Sequence, residues 1–241
     1  MRLDLALVER GLARSRSHAR QLIEAGRVTI PFQTSPKPSI IVGSEIQIEV
    51  EVDPYVSRGA HKLIHALDHS GLVITGRVLD AGASTGGFTQ VLLERGVTQV
   101  YAVDVGHDQM VENLRHDPRV VLREGLNLRE LSLNDVENQR VDYVVADVSF
   151  ISLTMILEPI LAVLKPEGAA LVLVKPQFEV GRGGLDSHGV VVDELVRAQA
   201  VTGVIEHART LGWFLDWSAP SAVVGEKGNQ ETFCLFRSHP S

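Results

Sequence analysis

Cysteine is nearly missing from this chain. Cys234 is the only one in 241 residues, so no internal disulfide can form, and a reducing compartment is expected. Long apolar runs are missing too. The best, Val141 to Val145 and Ala169 to Val174, have strand length and fall far short of the roughly 18 residues a membrane helix needs. The opening Met1-Arg2-Leu3-Asp4 puts an acid where a signal peptide begins its apolar core, so the expected setting is cytoplasmic rather than secreted. No His/Cys cluster has metal-ligand spacing, so no metal is expected. Internal repeats and low-complexity segments are absent. With 44% hydrophobic and 22% charged residues, disordered and fibrous classes are excluded.

What the chain does have is an uneven charge. Residues 1–40 hold seven basic side chains (Arg2, Arg10, Arg14, Arg16, Arg20, Arg27 and Lys37) against three acids. The total is −7, so the remaining 201 residues carry −11. A small basic module on an acidic body points to a polyanion gripped by one part only.

That module reads as a compact α+β unit. Leu3, Leu5, Leu7, Val8 and Leu12 follow a helical stripe that Gly11 can end. Ser15 or Ser17 can cap a second helix running through Ala25, with Gly26 just past it. Arg27–Ile30 and Glu45–Val50 read as strands around a proline-containing loop. Residues 53–59 look like a linker between a small domain, 1–52, and a larger one, 60–241.

The larger part alternates strands and helices. Strands are expected at Arg77–Asp80, Gln99–Asp104, Asp142–Asp147, Ala169–Lys175 and Glu231–Arg237. Helices are expected at Gly87–Arg95, Leu153–Leu164 and Leu195–Leu211, with a turn at Lys165-Pro166-Glu167-Gly168. The fold class is α/β, a Rossmann-like doubly wound sheet behind the small domain.

In such sheets a ligand lies beyond the carboxyl ends of the strands. Asp80-Ala81-Gly82-Ala83-Ser84-Thr85-Gly86-Gly87-Phe88 is a strand end, a glycine turn and a helix start, and Asp104 ends the next strand about 20 residues on. A dinucleotide wants G-x-G-x-x-G so that amides can approach a pyrophosphate. Here the glycines fall at 82, 86 and 87, and the Asp80 carboxylate would repel phosphate. The pattern favours S-adenosylmethionine, which carries an ammonium, a sulfonium and no phosphate, over NAD. The expected cofactor set is Asp80, Gly82, Ser84, Thr85, Gly86, Gly87, Phe88, Asp104, Val105, Asn127 and Asp147. Asp147 and Lys175 each end a buried strand and should face the same crevice. A buried strand ending in lysine is costly unless the ammonium is paired.

Five segments carry a resemblance: Tyr55–Leu63, Asp80–Thr89, Asp147–Leu153, Val174–Gly181 and Gly225–Glu231. In order and spacing they are similar to the TlyA (haemolysin A) family, ribosomal-RNA methyltransferases with an FtsJ-like catalytic domain. The N-terminal unit resembles the RNA-binding domain named after the fourth small-subunit ribosomal protein. The resemblance implies 2′-O-methylation of cytidine in ribosomal RNA, with ribosomal subunits as partners. It also implies a catalytic tetrad of Lys62, Asp147, Lys175 and Glu231, with the last strand antiparallel so that Glu231 shares the edge with Asp147 and Lys175. Taken alone, Lys62 is an exposed helix lysine and Glu231 an acid at a strand start.

Arg14, Arg16, Arg20, Arg27 and Arg58 are the expected RNA contacts. Two positions depart from the family's pattern. Ile30-Pro31-Phe32-Gln33 stands where a Val-Asn-Gly-like hairpin is usual, and Asp108 where glycine is frequent. Three rival readings remain: a non-catalytic RNA-binding or assembly factor, an NAD enzyme, and a cytolysin, for which no amphipathic insertion segment is found.

Overall fold

The computed structural model describes residues 1–239 except Arg14, Phe32, Thr34 and Val52, and Arg182 by its backbone alone. The chain divides into two compact units, Met1–Pro54 and Tyr55–Ser241.

In the first unit, helix α1 (Leu3–Glu9) precedes α2 (Arg16–Glu24), and strands β1 (Val28–Thr29) and β2 (Glu49–Val50) pair antiparallel. Ser15 caps α2 by accepting a hydrogen bond from the His18 amide, and Gly26 leaves the helix at φ +71°. Leu3, Ala6, Leu7, Ala19, Ile23, Val28 and Ile48 are among the side chains forming its core. The strands are shorter than the sequence pattern suggests. At the unusual hairpin position the Gln33 amide still bonds the Ile30 carbonyl at 3.3 Å, closing a turn around Pro31.

The second unit is built on a seven-stranded mixed sheet. Its strands are β3 (Arg77–Ala81), β4 (Gln99–Asp104), β5 (Val120–Glu124), β6 (Val141–Ala146), β7 (Leu164–Val174), β8 (Phe214–Pro220) and β9 (Thr232–Arg237), in the order β5-β4-β3-β6-β7-β9-β8. The five strands β3 to β7 pair in parallel, while β9 is antiparallel to both β7 and β8. Helices α3 (Gly59–Ser70), α4 (Gly87–Glu94), α5 (Glu112–Arg115), α6 (Leu157–Ala162), α7 (Pro176–Glu179) and α8 (Glu194–Thr210) complete it.

The apolar runs follow from burial on both faces. Val78, Val145, Leu171 and Leu235 enter a core shared with α3 and α4, whereas Leu79, Val144, Val172 and Phe236 enter the core packed by α6 and α8. Side chains alternate between faces with period two, but each face is dry, so hydropathy does not alternate.

Several expectations need adjusting. Lys165–Gly168 is not a turn; it is the start of β7, held to the neighbouring strand by a Lys165–Asp142 ion pair at 2.5 Å. The helix expected over 153–164 is a short 3₁₀ turn, Leu153–Met155, followed by the six residues of α6. Asp147 and Lys175 lie one residue beyond their strands rather than ending them. Strands β5 and β8 and helices α5 and α7 have no counterpart among the expected elements.

Candidate active site

The strand order reverses between β3 and β6, and chain segments leaving the two strands separate there to open a crevice. The turn after β3 forms its floor. Gly82 has φ +87°, and a Cβ on it would stand 2.8 Å from the Asp147 carbonyl oxygen, so only glycine lets the β6 exit lie this close. A Cβ on Gly87 would collide with the Ser57 hydroxyl. The segment Ser57-Arg58-Gly59 therefore rests against the start of α4.

Two cavities of about 510 and 490 Å³ occupy the crevice, and Gly82, Ser84, Asp147, Ser149 and Phe150 line both. The smaller is bounded by Asp104, Val105, Gly106 and Asn127. Asp104 accepts hydrogen bonds from the Ser84 amide at 2.8 Å and the Gly106 amide at 2.7 Å, which aims the carboxylate at the cavity floor. Asn127 engages the Arg129 amide through its side-chain oxygen.

Asp80 lies beneath the turn and is fully buried. Its Oδ2 accepts from the Thr89 hydroxyl at 2.6 Å, while its Oδ1 has no partner. Burial lifts this carboxyl to about 7, Asp147 and Asp104 adding to the effect and Thr89 opposing it. Asp80 itself lines neither cavity, but the Asp104 and Asp147 carboxylates that do suit a cationic, phosphate-free nucleoside, so the residues present fit S-adenosylmethionine. Thr85, Gly87 and Phe88 line the larger cavity, whereas Gly86, at φ +98°, packs against Leu114 instead. Asp108 is in the left-handed region at φ +55°, a conformation that glycine adopts without strain. Its carboxylate is 91% exposed, turned toward Arg115 and away from both cavities.

The larger cavity gathers Lys62, Asp147, Lys175 and Glu231. Lys62, on α3, donates to Glu231 Oε2 at 2.6 Å; both are buried, so the reading of Lys62 as an exposed helix lysine fails. Lys175 Nζ lies 2.6 Å from Asp147 Oδ1 and donates to Ser149 Oγ at 2.8 Å. Val174 pairs with Thr232 across β7 and β9, so Lys175 and Glu231 come next at one open edge. Each ammonium thus meets one carboxylate, which removes much of the cost of burying it.

Arg58 lines the mouth of the larger cavity, exposed. In the first unit, fully buried Asp4 binds Arg2, Arg16 Nε at 2.9 Å and Arg20 Nε at 3.2 Å, which holds its carboxyl far below the usual range. The Arg16 and Arg20 side chains stay 47% and 49% exposed, and Arg27 pairs with Asp53 at 2.8 Å. Arg14 lies outside the described residues.

Sequence reasoning missed Ser149, the Phe150–Phe178 ring contact at 5.3 Å and Asn229, and it left either Asp147 or Glu179 as the partner of Lys175. Glu179 does not pair with Lys175; it binds the Ser152 hydroxyl and the Leu153 amide. Among the described residues no group of three or more His, Cys, Asp or Glu could hold a metal, and no helix is long and apolar enough to cross a membrane.

Comparison with known proteins gives two family matches: an FtsJ-like methyltransferase over residues 55–238 and an S4 domain over residues 1–43. The chain is 46% identical to the 16S/23S rRNA (cytidine-2'-O)-methyltransferase TlyA of Mycobacterium tuberculosis strain H37Rv, over 98% of this chain and 90% of that protein. It is 34% identical to the 23S rRNA (cytidine-2'-O)-methyltransferase TlyA of Campylobacter jejuni, over 82% of this chain and 76% of that one. Among solved structures, one from Streptococcus thermophilus described as a hemolysin superposes with TM-score 0.78 at 34% identity, covering 100% of this chain and 90% of the other.

Proposed function

The chain belongs to the FtsJ-like methyltransferase family, and we propose that it transfers a methyl group from S-adenosylmethionine to a cytidine ribose 2′-oxygen in ribosomal RNA. The observation that carries this reading is the pairing of Lys62 with Glu231 and of Lys175 with Asp147 in one cavity that shares a wall with the Asp104 cavity. The adenosine ribose belongs on Asp104, with Val105 and Asn127 beside the base, while Asp80 acts on the cationic end from beneath the glycine turn, through its charge rather than by contact. The substrate ribose belongs between the two ion pairs.

A ribose hydroxyl is a very weak acid and needs help to lose its proton. When bound, S-adenosylmethionine supplies an electrophilic methyl group on a sulfonium. The bond from the 2′-oxygen to that carbon forms as the carbon–sulfur bond breaks. The hydroxyl proton passes to the Lys175–Asp147 pair: a neutral Lys175 Nζ takes it, or the Asp147 carboxylate takes it while Lys175, as an ammonium, holds the developing alkoxide. Ser149 fixes that nitrogen from a second direction. Lys62, oriented by Glu231, steers the hydroxyl or a neighbouring phosphate. Holding oxygen, carbon and sulfur in line supplies much of the remaining acceleration. Arg16, Arg20, Arg27 and Arg58 are the phosphate contacts of this reading.

The test is transfer of labelled methyl to ribosomal subunits, wild type beside Lys175→Ala, with mapping of the modified nucleotide. Label on a ribose 2′-oxygen that disappears in the variant supports the proposal. Cofactor binding without transfer to either subunit would overturn it and leave an RNA-binding factor.

A further inference from the structure

Two prefolded turns wall the larger cavity on its outer side. The first spans residues 186–190. Asp186 closes it, its carboxylate accepting from the His188 and Val190 amides at 2.8 Å and its own amide bonding the Val190 carbonyl at 2.9 Å. The second spans residues 225–229, where the Gly228 amide bonds the Gly225 carbonyl at 2.8 Å. A Cβ on Gly225 would stand 2.7 Å from Glu231 Oε1, so this turn is the backing of the Glu231 carboxylate.

One side chain joins the two turns. Asn229 is 1% exposed; its Oδ1 accepts from the Val191 amide at 2.9 Å and its Nδ2 donates to the Gly189 carbonyl at 3.0 Å. Its own carbonyl accepts from the Gly225 amide at 2.8 Å. Beyond the first turn, Arg197 on α8 holds the Val191 and Val192 carbonyls. Leu185 and Gly189 on one side, and Glu226, Lys227 and Glu231 on the other, face the cavity across this amide.

We propose that Asn229 is a positioning residue: its side-chain amide latches the 186–190 turn to the 225–229 turn and so fixes the wall against which Glu231 and Lys62 meet the RNA substrate. It lines the larger cavity beside Glu231 but not the Asp104 cavity, and both polar ends of its side chain are taken up by the 186–190 turn and the Val191 amide. The inference rests on the methyl-transfer reading above. An asparagine suits the task because one side chain must accept from one amide and donate to a carbonyl two residues away. An aspartate in its place would lose the donor, and an alanine would lose both bonds.

The experiment compares wild type with Asn229→Ala for three quantities: amide exchange at Val191, affinity for S-adenosylmethionine, and kcat and KM for transfer to ribosomal subunits. The expected result is Val191 exchange faster by at least about tenfold, cofactor affinity nearly unchanged, melting temperature lowered by only a few degrees, and kcat/KM for RNA down about 10- to 100-fold. Asn229→Ser, which keeps one hydroxyl, should fall between. A general structural role would instead lower melting temperature and cofactor affinity together. If Asn229→Ala does not fold, Val191 exchange in the wild type decides, and exchange as fast as at Val192 overturns the latch. An active wild type with an equally active Asn229→Ala overturns the latch alone, whereas an inactive wild type overturns the methyl-transfer reading.

Discussion

Lys175 and Glu231 stand one residue beyond the Val174–Thr232 partners of β7 and β9, and each reaches back to a different partner, Asp147 and Lys62. Strand register therefore sets the relation between the two ion pairs. Replacing Lys175 by methionine or Glu231 by glutamine should each lower kcat by about 10²- to 10⁴-fold. Lys62→Met combined with Glu231→Gln should cost much less than the sum of the two, because each alone strands a buried charge. Single-turnover rates on ribosomal subunits check this, and additive losses would separate the two side chains.

Asp80 should make the ligand-free protein behave unlike one limited by ordinary acids. Its folded pKa of about 7 lies above its unfolded value, so its contribution is fully present at low pH and is lost as pH rises through about 7. Asp80→Asn is expected to melt above wild type at pH 8, with the gap closing by pH 5. Melting curves without ligand test it, and a gap independent of pH would contradict the burial argument.

Asp104 receives the Ser84 and Gly106 amides and sits in the smaller cavity only. Asp104→Ala should weaken S-adenosylmethionine binding by about 10- to 100-fold, the loss of one or two charge-assisted hydrogen bonds. The RNA affinity of the same variant should not move. Calorimetric titration with each ligand distinguishes this outcome from general unfolding.

Asp4 holds three arginines of the basic unit and is ionised by them, Arg2 foremost. A folded pKa below the unfolded value gives stability above the ordinary carboxylate range that is lost as pH falls. Asp4→Asn should lower the melting temperature at pH 7, with the deficit shrinking in acid. Arg16→Ala and Arg20→Ala should each reduce the slope of log affinity for RNA against log salt by about one. A slope unchanged in both would remove these arginines from the RNA-facing surface.

The parallel core was legible because the runs Val141–Ala146 and Ala169–Val174 are buried on both faces, and the glycine turn because Gly82 and its neighbours obey backbone sterics. Edge strands were not. Phe214–Pro220 mixes exposed and half-buried positions, and Val120–Glu124 is only partly covered, so neither carries a clean period. Lys165–Gly168 has turn composition, yet the Asp142 partner across the sheet makes it strand. At the site, the burial of Lys62 depends on Glu231, 169 residues away, and the role of Asn229 on Gly189, 40 residues away. Contacts of that range leave no local signal; only the resemblance placed Lys62 and Glu231 together.

The wall common to the two cavities has a use outside catalysis. Gly82, Ser84, Asp147, Ser149 and Phe150 are reached from both sides. A single synthetic molecule joining an adenosine-like half to a ribonucleoside half could therefore occupy both chambers at once, and the second half would bind at the high effective concentration a short tether provides. Because the same five residues bound both chambers, potency against this protein should depend steeply on tether length.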